Sequence, residues 1–277
     1  MDLKSIIGGI EAKAAESIKT NPGDYIDETT GLLMCGNCHT KKQTEVEILG
    51  EVRRPMCICK CEAERIEKEE AERQRIELEK RVREYRRLGI PEASMQEWTF
   101  ANDDHSNEKL SEAMRKYADN FEEFHKKGKG LLLFGTVGTG KTYLAACIAN
   151  ALIDKGLPCM MTKISDIAEN ILNGKCTCHD FNEFPLLVLD DLGAERKTEY
   201  MQQIVFDVID SRYRAGLPLI VTTNLTSEEL QHPSDISYQR TFSRLLEMCL
   251  PVKVEGKNKR LEKLKSDIKP MKDFLGL

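Results

Sequence analysis

The sequence contains no stretch of 18 apolar residues, which excludes a membrane-spanning helix of ordinary length. Its first residues, MDLKSIIGGIEAKAAES, carry acids from Asp2 onward and no long apolar run, so no secretory signal peptide is expected. No segment recurs at a fixed period, which sets repeat architectures aside. Positive charge is not in excess either: 41 Lys+Arg against 46 Asp+Glu leave −5. Any nucleic-acid contact must therefore come from a local patch. The cysteines lack the spread of a disulfide framework: of ten, five fall between Cys35 and Cys61 and five scatter from Cys147 to Cys249. What remains is 277 residues, 40% hydrophobic and 31% charged. That suffices for one packed domain plus a smaller appendage, with a charge-laced segment somewhere in between. A cytoplasmic protein of two parts is expected.

Composition divides the chain into three zones. Residues 1–61 hold a short helical pattern (Ile6, Ile7, Ile10, Ala14, Ile18), a turn at Pro22-Gly23 and the cysteine cluster. Residues 62–88 carry nine acids and nine bases in 27 positions. Pairs such as Glu69 with Arg73 and Glu77 with Arg81 have the i,i+4 spacing that supports an exposed helix. Gly89-Ile90-Pro91 ends it, so residues 62–93 read as a charged helical linker, a solvated spacer. From residue 94 to 277, short apolar runs alternate with helical patterns: Gly130–Phe134, Pro158–Thr162, Leu186–Leu189 and Leu219–Thr223 as strands, with helices from Thr142, Ile164 and Glu199. This alternation predicts an α/β domain with a parallel sheet flanked by helices.

Gly135-Thr136-Val137-Gly138-Thr139-Gly140-Lys141-Thr142 fits G-x-x-x-x-G-K-[ST], between an apolar strand and an amphipathic helix. Glycines let successive N–H groups turn toward a polyphosphate, and the helix N-terminus adds its positive dipole end. Lys141 is placed to reach the β- and γ-phosphates and Thr142 to ligate Mg²⁺, with Tyr143 next in line. The third strand ends in Leu189-Asp190-Asp191. Asp190 is expected to hold Mg²⁺ and Asp191 to polarise the attacking water. Asn224, at the end of the fourth strand, is either a γ-phosphate or water contact or a turn-forming residue.

Cys35-Gly-Asn-Cys38 is a C-x-x-C knuckle, followed by Cys57, Cys59 and Cys61. Four thiolates suit tetrahedral Zn²⁺, so four of these five are expected to bind zinc, the last two being chosen among Cys57, Cys59 and Cys61. Glu45–Val52 reads as the hairpin between them, and a zone with so little apolar content needs a staple. His39 is a substitute ligand of lower rank; a redox C-x-x-C or free thiols are the alternatives. Cys176-Thr-Cys178-His179 lacks a fourth partner nearby and reads as a loop, while Cys147, Cys159 and Cys249 read as core.

The loop GTVGTGKT, the strand end LDDLG and the strand end TTN together resemble the AAA+ P-loop NTPases of the helicase-loader group, which includes DnaC- and DnaI-type loaders, phage relatives and IstB transposition helpers. The likeness extends through Trp98-Thr99-Phe100, GLLLFG and the tail RTFSRLLEMCLPVKVEGKNKR, covering roughly residues 90–262, and points to a phage or Gram-positive type. It implies that Asn224 is the sensor 1 residue and that Arg240 or Arg244 is an arginine finger, with Arg240 slightly favoured. It also implies that Arg260 stands at the sensor 2 position and that the lead-in lies near adenine, with plain core packing as the other reading of Trp98 and Phe100. The likeness departs from the full pattern in that no complete C-terminal helical lid is expected in the roughly 15 residues after Arg260. Asp191 stands where vigorous ATPases carry Glu, which implies slow hydrolysis.

The resemblance further implies an N-terminal domain that grips a hexameric replicative helicase, single-stranded DNA along an ATPase spiral near Lys163–Phe184, and ATP-dependent self-assembly. From Lys253 onward eight bases face four acids, a basic tail for phosphates or a frayed terminus. The expected activity is ATP hydrolysis in the service of helicase loading, with ATP, Mg²⁺ and Zn²⁺ as cofactors and no membrane partner. The alternatives are a transposition helper, a non-hydrolysing adaptor that recruits a partner through its zinc domain, and a small-molecule P-loop kinase.

Overall fold

The computed structural model describes residues 21–275 apart from 49, 91, 105, 197, 234 and 235, so the helix expected around Ile6–Ile18 lies outside the described residues. The chain separates into two compact units, Met1–Leu78 and Glu79–Leu277.

In the first unit, strands β1 (Tyr25–Ile26) and β2 (Leu33–Met34) pair antiparallel, as do β3 (Val46–Ile48) and β4 (Glu51–Arg53). The second pair is the expected hairpin, turning through Gly50. Helix α1 (Lys60–Gly89) follows. Its ion pairs run mostly i,i+3: Arg65 with Glu62, Arg73 with Glu70, Arg75 with Glu72, and Arg87 with Glu84. Glu69 pairs back to Arg65 rather than forward to Arg73. The last turns of α1, from Glu79 on, belong to the second unit and are more than a solvated spacer there, since Val82 and Tyr85 pack against that unit's core and Arg86 bonds Asp154.

The second unit holds helices α2 (Glu108–Asp119) and α3 (Phe121–Lys126), then β5 (Gly130–Phe134) and α4 (Lys141–Asp154). Next come β6 (Cys159–Thr162), α5 (Ile164–Leu172), β7 (Leu186–Leu192), α6 (Glu199–Ala215) and β8 (Leu219–Thr223). The remainder is α7 (Ser227–Gln231), α8 (Ile236–Met248), β9 (Cys249–Lys253) and α9 (Lys259–Leu275). The five strands form one parallel sheet in the order β6-β7-β8-β5-β9.

Successive residues of the central strands feed opposite faces. Leu131 and Leu133 join one apolar cluster while Leu132 joins the other; Leu186 and Val188 divide in the same way from Leu187 and Leu189. A strand covered on both sides must be apolar at every position, which explains the unbroken runs GLLLF and LLVL. Strand β9 carries no such run. It contains Pro251 and pairs only with β5, the edge position that tolerates a missing N–H. Strand β8 inserts between β5 and β7, and this crossover positions the functional residues.

Candidate functional site: a nucleotide cleft and a four-cysteine centre

The carboxyl ends of β5, β7 and β8 open into a cavity of about 850 Å³ lined by Lys141, Thr142, Asp190, Asp191, Asn224 and Arg260, among others. Above it the loop between β5 and α4 takes left-handed φ values at Gly138 (81°) and Gly140 (98°), a region that side chains other than glycine enter at a cost. Gly138 is further constrained because a Cβ there would lie 2.2 Å from Asn258 Oδ1.

Lys141 is buried, and its ammonium donates to Gly135 O (2.9 Å), Thr136 O (2.8 Å) and Asn224 Oδ1 (2.8 Å). Burial holds it below the usual lysine pKa, opposed by the nearby Asp191 and Asp190 carboxylates. Asn224 in turn donates from Nδ2 to Asp191 Oδ1 at 2.8 Å. Its amide orientation follows from chemistry: lysine only donates and a carboxylate only accepts. One side chain at the end of β8 therefore joins the loop lysine to the acid on β7, because β8 lies between their two strands.

Adjacent strand residues normally face opposite ways, yet Asp190 and Asp191 both reach the cavity. The pairing of β7 with β8 shifts register between Leu189 and Leu192, and Asp191 adopts φ 58°, an uncommon state for a non-glycine residue. Thr222 locks this turn. Its hydroxyl accepts from the Asp191 N–H (2.8 Å) and donates to Asp190 Oδ1 (2.7 Å). Thr222 escaped the sequence reading, although it stands in the TTN strand end that drew attention to Asn224.

The lead-in divides the two readings offered for it. Trp98 lines the cavity and lies 5.7 Å from the Tyr143 ring, whereas Phe100 is buried in the core. Asn150 anchors the segment through bonds to Met95 O and Trp98 O, both 2.9 Å. Lys163 also lines the cavity.

The two arginines of α8 differ. Arg240 is exposed and has no ion-pair partner among the described residues. Arg244 bonds Asp210 and lies over the rings of Phe206 (4.8 Å) and Tyr213 (5.7 Å), so it is engaged within its own chain. The Cys176–His179 segment is a loop in which His179 Nδ1 lies 3.0 Å from Ser211 Oγ, and no metal-ligand group forms there among the described residues. Cys147, Cys159 and Cys249 are buried.

In the first unit, Cys35, Cys38, Cys59 and Cys61 bring their Sγ atoms within 4.8 Å of one another. Cys61 lies 3.6 Å from Cys35 and 3.4 Å from Cys59. Sulfurs about 2.3 Å from a tetrahedral zinc stand about 3.8 Å apart, so the donor set fits Zn²⁺ in identity, number and spacing. Of the three candidates for the second pair, Cys57 stays outside; its thiol faces Lys41 O at 3.5 Å. His39 takes no part either, and its Nδ1 meets Tyr25 Oη.

The Thr40 hydroxyl and the Cys61 N–H hold the Cys38 thiol down to about 5, while the crowding thiols of Cys59, Cys38 and Cys35 push Cys61 up to about 12. Four thiols this close need a cation before all can ionise. A buried ion pair, Lys42 to Asp24 at 2.6 Å, braces the knuckle, with Asp24 also accepting from the Gly36 N–H.

Residues 61–267 match the family model for IstB-like ATP binding proteins. The chain belongs to the IstB-like ATP-binding family. The replicative helicase loader DnaI of Bacillus subtilis is 29% identical over 150 residues, 48% of each chain. The replicative helicase loader DnaC of Escherichia coli is 28% identical over 132 residues, 43% of this chain and 51% of that one. An insertion-sequence ATP-binding protein of Sinorhizobium fredii is 33% identical over 104 residues, 35% of each. The chain thus spans about half, or less, of the length of the curated relatives it matches. A crystal structure of the DnaC helicase loader superposes with a TM-score of 0.50 at 24% identity, covering 59% of this chain and all of that one, which places the sheet and its flanking helices in the AAA+ fold. The family is an ATP-binding one, in keeping with the cleft.

Proposed function

We propose that the protein is an ATP-dependent loader that places a hexameric replicative helicase on single-stranded DNA. The observation that carries the nucleotide half is the chain Lys141–Asn224–Asp191, which ties the phosphate-binding loop to a carboxylate on the third strand. In this reading the γ-phosphate draws Lys141 away from the loop carbonyls. Asn224, losing one partner, reports that change to Asp191, which orients the attacking water. Thr142 and Asp190, both on the cavity wall, offer the oxygen donors Mg²⁺ prefers, and the ion when bound would neutralise phosphate charge. Arg240 is the residue free to enter a neighbouring subunit's site, which makes ATP turnover and self-assembly dependent on each other. The basic tail and the Lys163–Phe184 segment are the candidate DNA contacts.

The helicase as partner rests on the named loaders among the relatives and on the four-cysteine unit ahead of the ATPase core, here read as the helicase-gripping domain 1–61 joined by residues 62–93 to the ATPase domain 94–277. A transposition helper remains the second reading, favoured by the family model and the insertion-sequence relative.

The test uses the full chain, wild type and Lys141→Ala, with a hexameric replicative helicase, labelled single-stranded DNA and ATP. The wild type should capture the helicase, transfer it to DNA and turn over ATP, while Lys141→Ala should lose ATP affinity by at least about a hundredfold. Failure to capture any replicative helicase would overturn the loader; absence of turnover under every combination would overturn the ATPase.

A further inference from the structure

Beside the phosphate cavity lies a second cleft of about 370 Å³, walled by Leu110, Tyr143, Leu144 and Val254 with Asp103 and Asn107 at its rim. The two cavities share five residues: Asp103, Asp104, Gly140, Tyr143 and Lys259. A molecule with its phosphates on the loop and its base in the smaller cleft passes along this shared wall.

Lys259 crosses it. Its backbone N–H donates to Gly138 O at 3.0 Å, so the start of α9 is fastened to the phosphate loop. Its side chain then runs over the beginning of α4, where an ideal Cβ on Gly140 would stand 3.7 Å from Lys259 Cε. The ammonium lies 5.8 Å from the Tyr143 ring centre and ends on Asp104 Oδ1 at 2.8 Å. Asp104 belongs to the lead-in, which is fixed to α4 by Asn150 and by the Tyr143 hydroxyl on Thr99 O (2.9 Å). Lys259, and after it Ser106, hold the Asp104 carboxyl down to about 2.

We propose that Asp104 and Lys259 form a strap across the nucleotide cleft, a pair of positioning residues that retain bound nucleotide by tying the lead-in to the start of α9. The inference rests on the reading of the cleft as a nucleotide site. The lysine stem passes close over Gly140, and the strap closes over the point where a nucleotide must bend from loop to cleft. Because the pair is partly exposed, with side chains 36% and 54% accessible, its effect is modest and sensitive to salt.

Stopped-flow release of a fluorescent adenine nucleotide tests the strap on the full chain, comparing wild type with Asp104→Asn and Lys259→Met. Both variants should release nucleotide about two- to fivefold faster, with association little changed. Added salt should accelerate wild-type release toward the variants and leave the variants nearly flat, and Asp104→Glu should restore slow release. A merely structural role would not give that salt dependence. Equal release rates for wild type and both variants would overturn the strap. So would slower release from Asp104→Asn, because it would make Lys259 a direct phosphate ligand that Asp104 restrains. A wild type that binds no nucleotide at all would instead refute the nucleotide reading of the cleft.

Discussion

The two units of this chain keep their shape by different means. Among the described residues up to 78 only Leu32, Cys35, Lys42 and Cys59 are buried, and two of those four are thiols of the cysteine centre. From residue 79 onward, two apolar clusters fill both faces of a five-stranded sheet. The described part of the first unit therefore buries little apolar surface, and a metal held by its four cysteines would be its main staple. The second has enough apolar surface to fold without a ligand, and its polar residues at the strand ends are free to serve chemistry.

The largest consequence concerns the metal. Chelation, or Cys59→Ala, should unfold residues 21–59 while the second unit stays intact, because structural zinc contributes on the order of 10 kcal/mol or more. Amide hydrogen exchange read segment by segment checks this, with a metal assay giving about one zinc per chain. Continued protection of residues 21–59 without zinc would break the contrast between the units.

The second unit has a polar weak point. Arg212 is fully buried and donates to four backbone carbonyls, those of Phe181, Phe184, Pro185 and Pro218, with no carboxylate among these partners. Burial holds its pKa down to about 10. It fixes the turn before β7 to the start of β8. Arg212→Leu removes the donor and leaves the carbonyls dry, so denaturant melts should show about 3 kcal/mol lost. An unchanged midpoint would mean that water replaces the guanidinium.

A smaller effect is expected at the site itself. Thr222→Val keeps the shape but removes the hydroxyl that links the Asp191 amide to Asp190. ATP turnover should fall about tenfold while ATP affinity stays within about twofold, since the loop and Lys141 are untouched. A parallel loss of affinity would show that Thr222 supports the whole strand end rather than the acids.

The legibility of the two units also differs. The phosphate loop, the buried strands and the helices at Ile164–Leu172 and Glu199–Ala215 are local patterns, and the structure places them where the sequence does. What stayed hidden is nonlocal. No periodicity reveals that β8 inserts between β5 and β7, and only that insertion turns Asn224 from a turn residue into a bridge. The register shift that aims both Asp190 and Asp191 inward is likewise set by pairing with β8. Pro251 hides strand β9, and little in the sequence separates Arg244 from the slightly favoured Arg240, because the anchor of Arg244, Asp210, is 34 positions away. Lys259 and Asp104, 155 residues apart, could be joined only by the fold.

The cysteine cluster gives the sharpest case and the smallest expected effect. Spacing left Cys57, Cys59 and Cys61 as equal candidates, because any two of them can approach a knuckle. The turn after β4 decides between them: the Cys57 N–H bonds Lys42 O at 2.7 Å and its thiol points at Lys41 O, whereas Cys59 and Cys61 flank the first residue of α1 and reach the other two sulfurs. Cys57→Ser should therefore retain one zinc per chain and shift stability by no more than about 0.5 kcal/mol, whereas Cys61→Ser should lose the metal. Metal content and melting of the two variants, measured together, separate the spare thiol from the ligand. If Cys57→Ser released zinc as readily as Cys61→Ser, the fifth cysteine would be exchanging into the site, and the first unit would have a less rigid centre than its geometry implies.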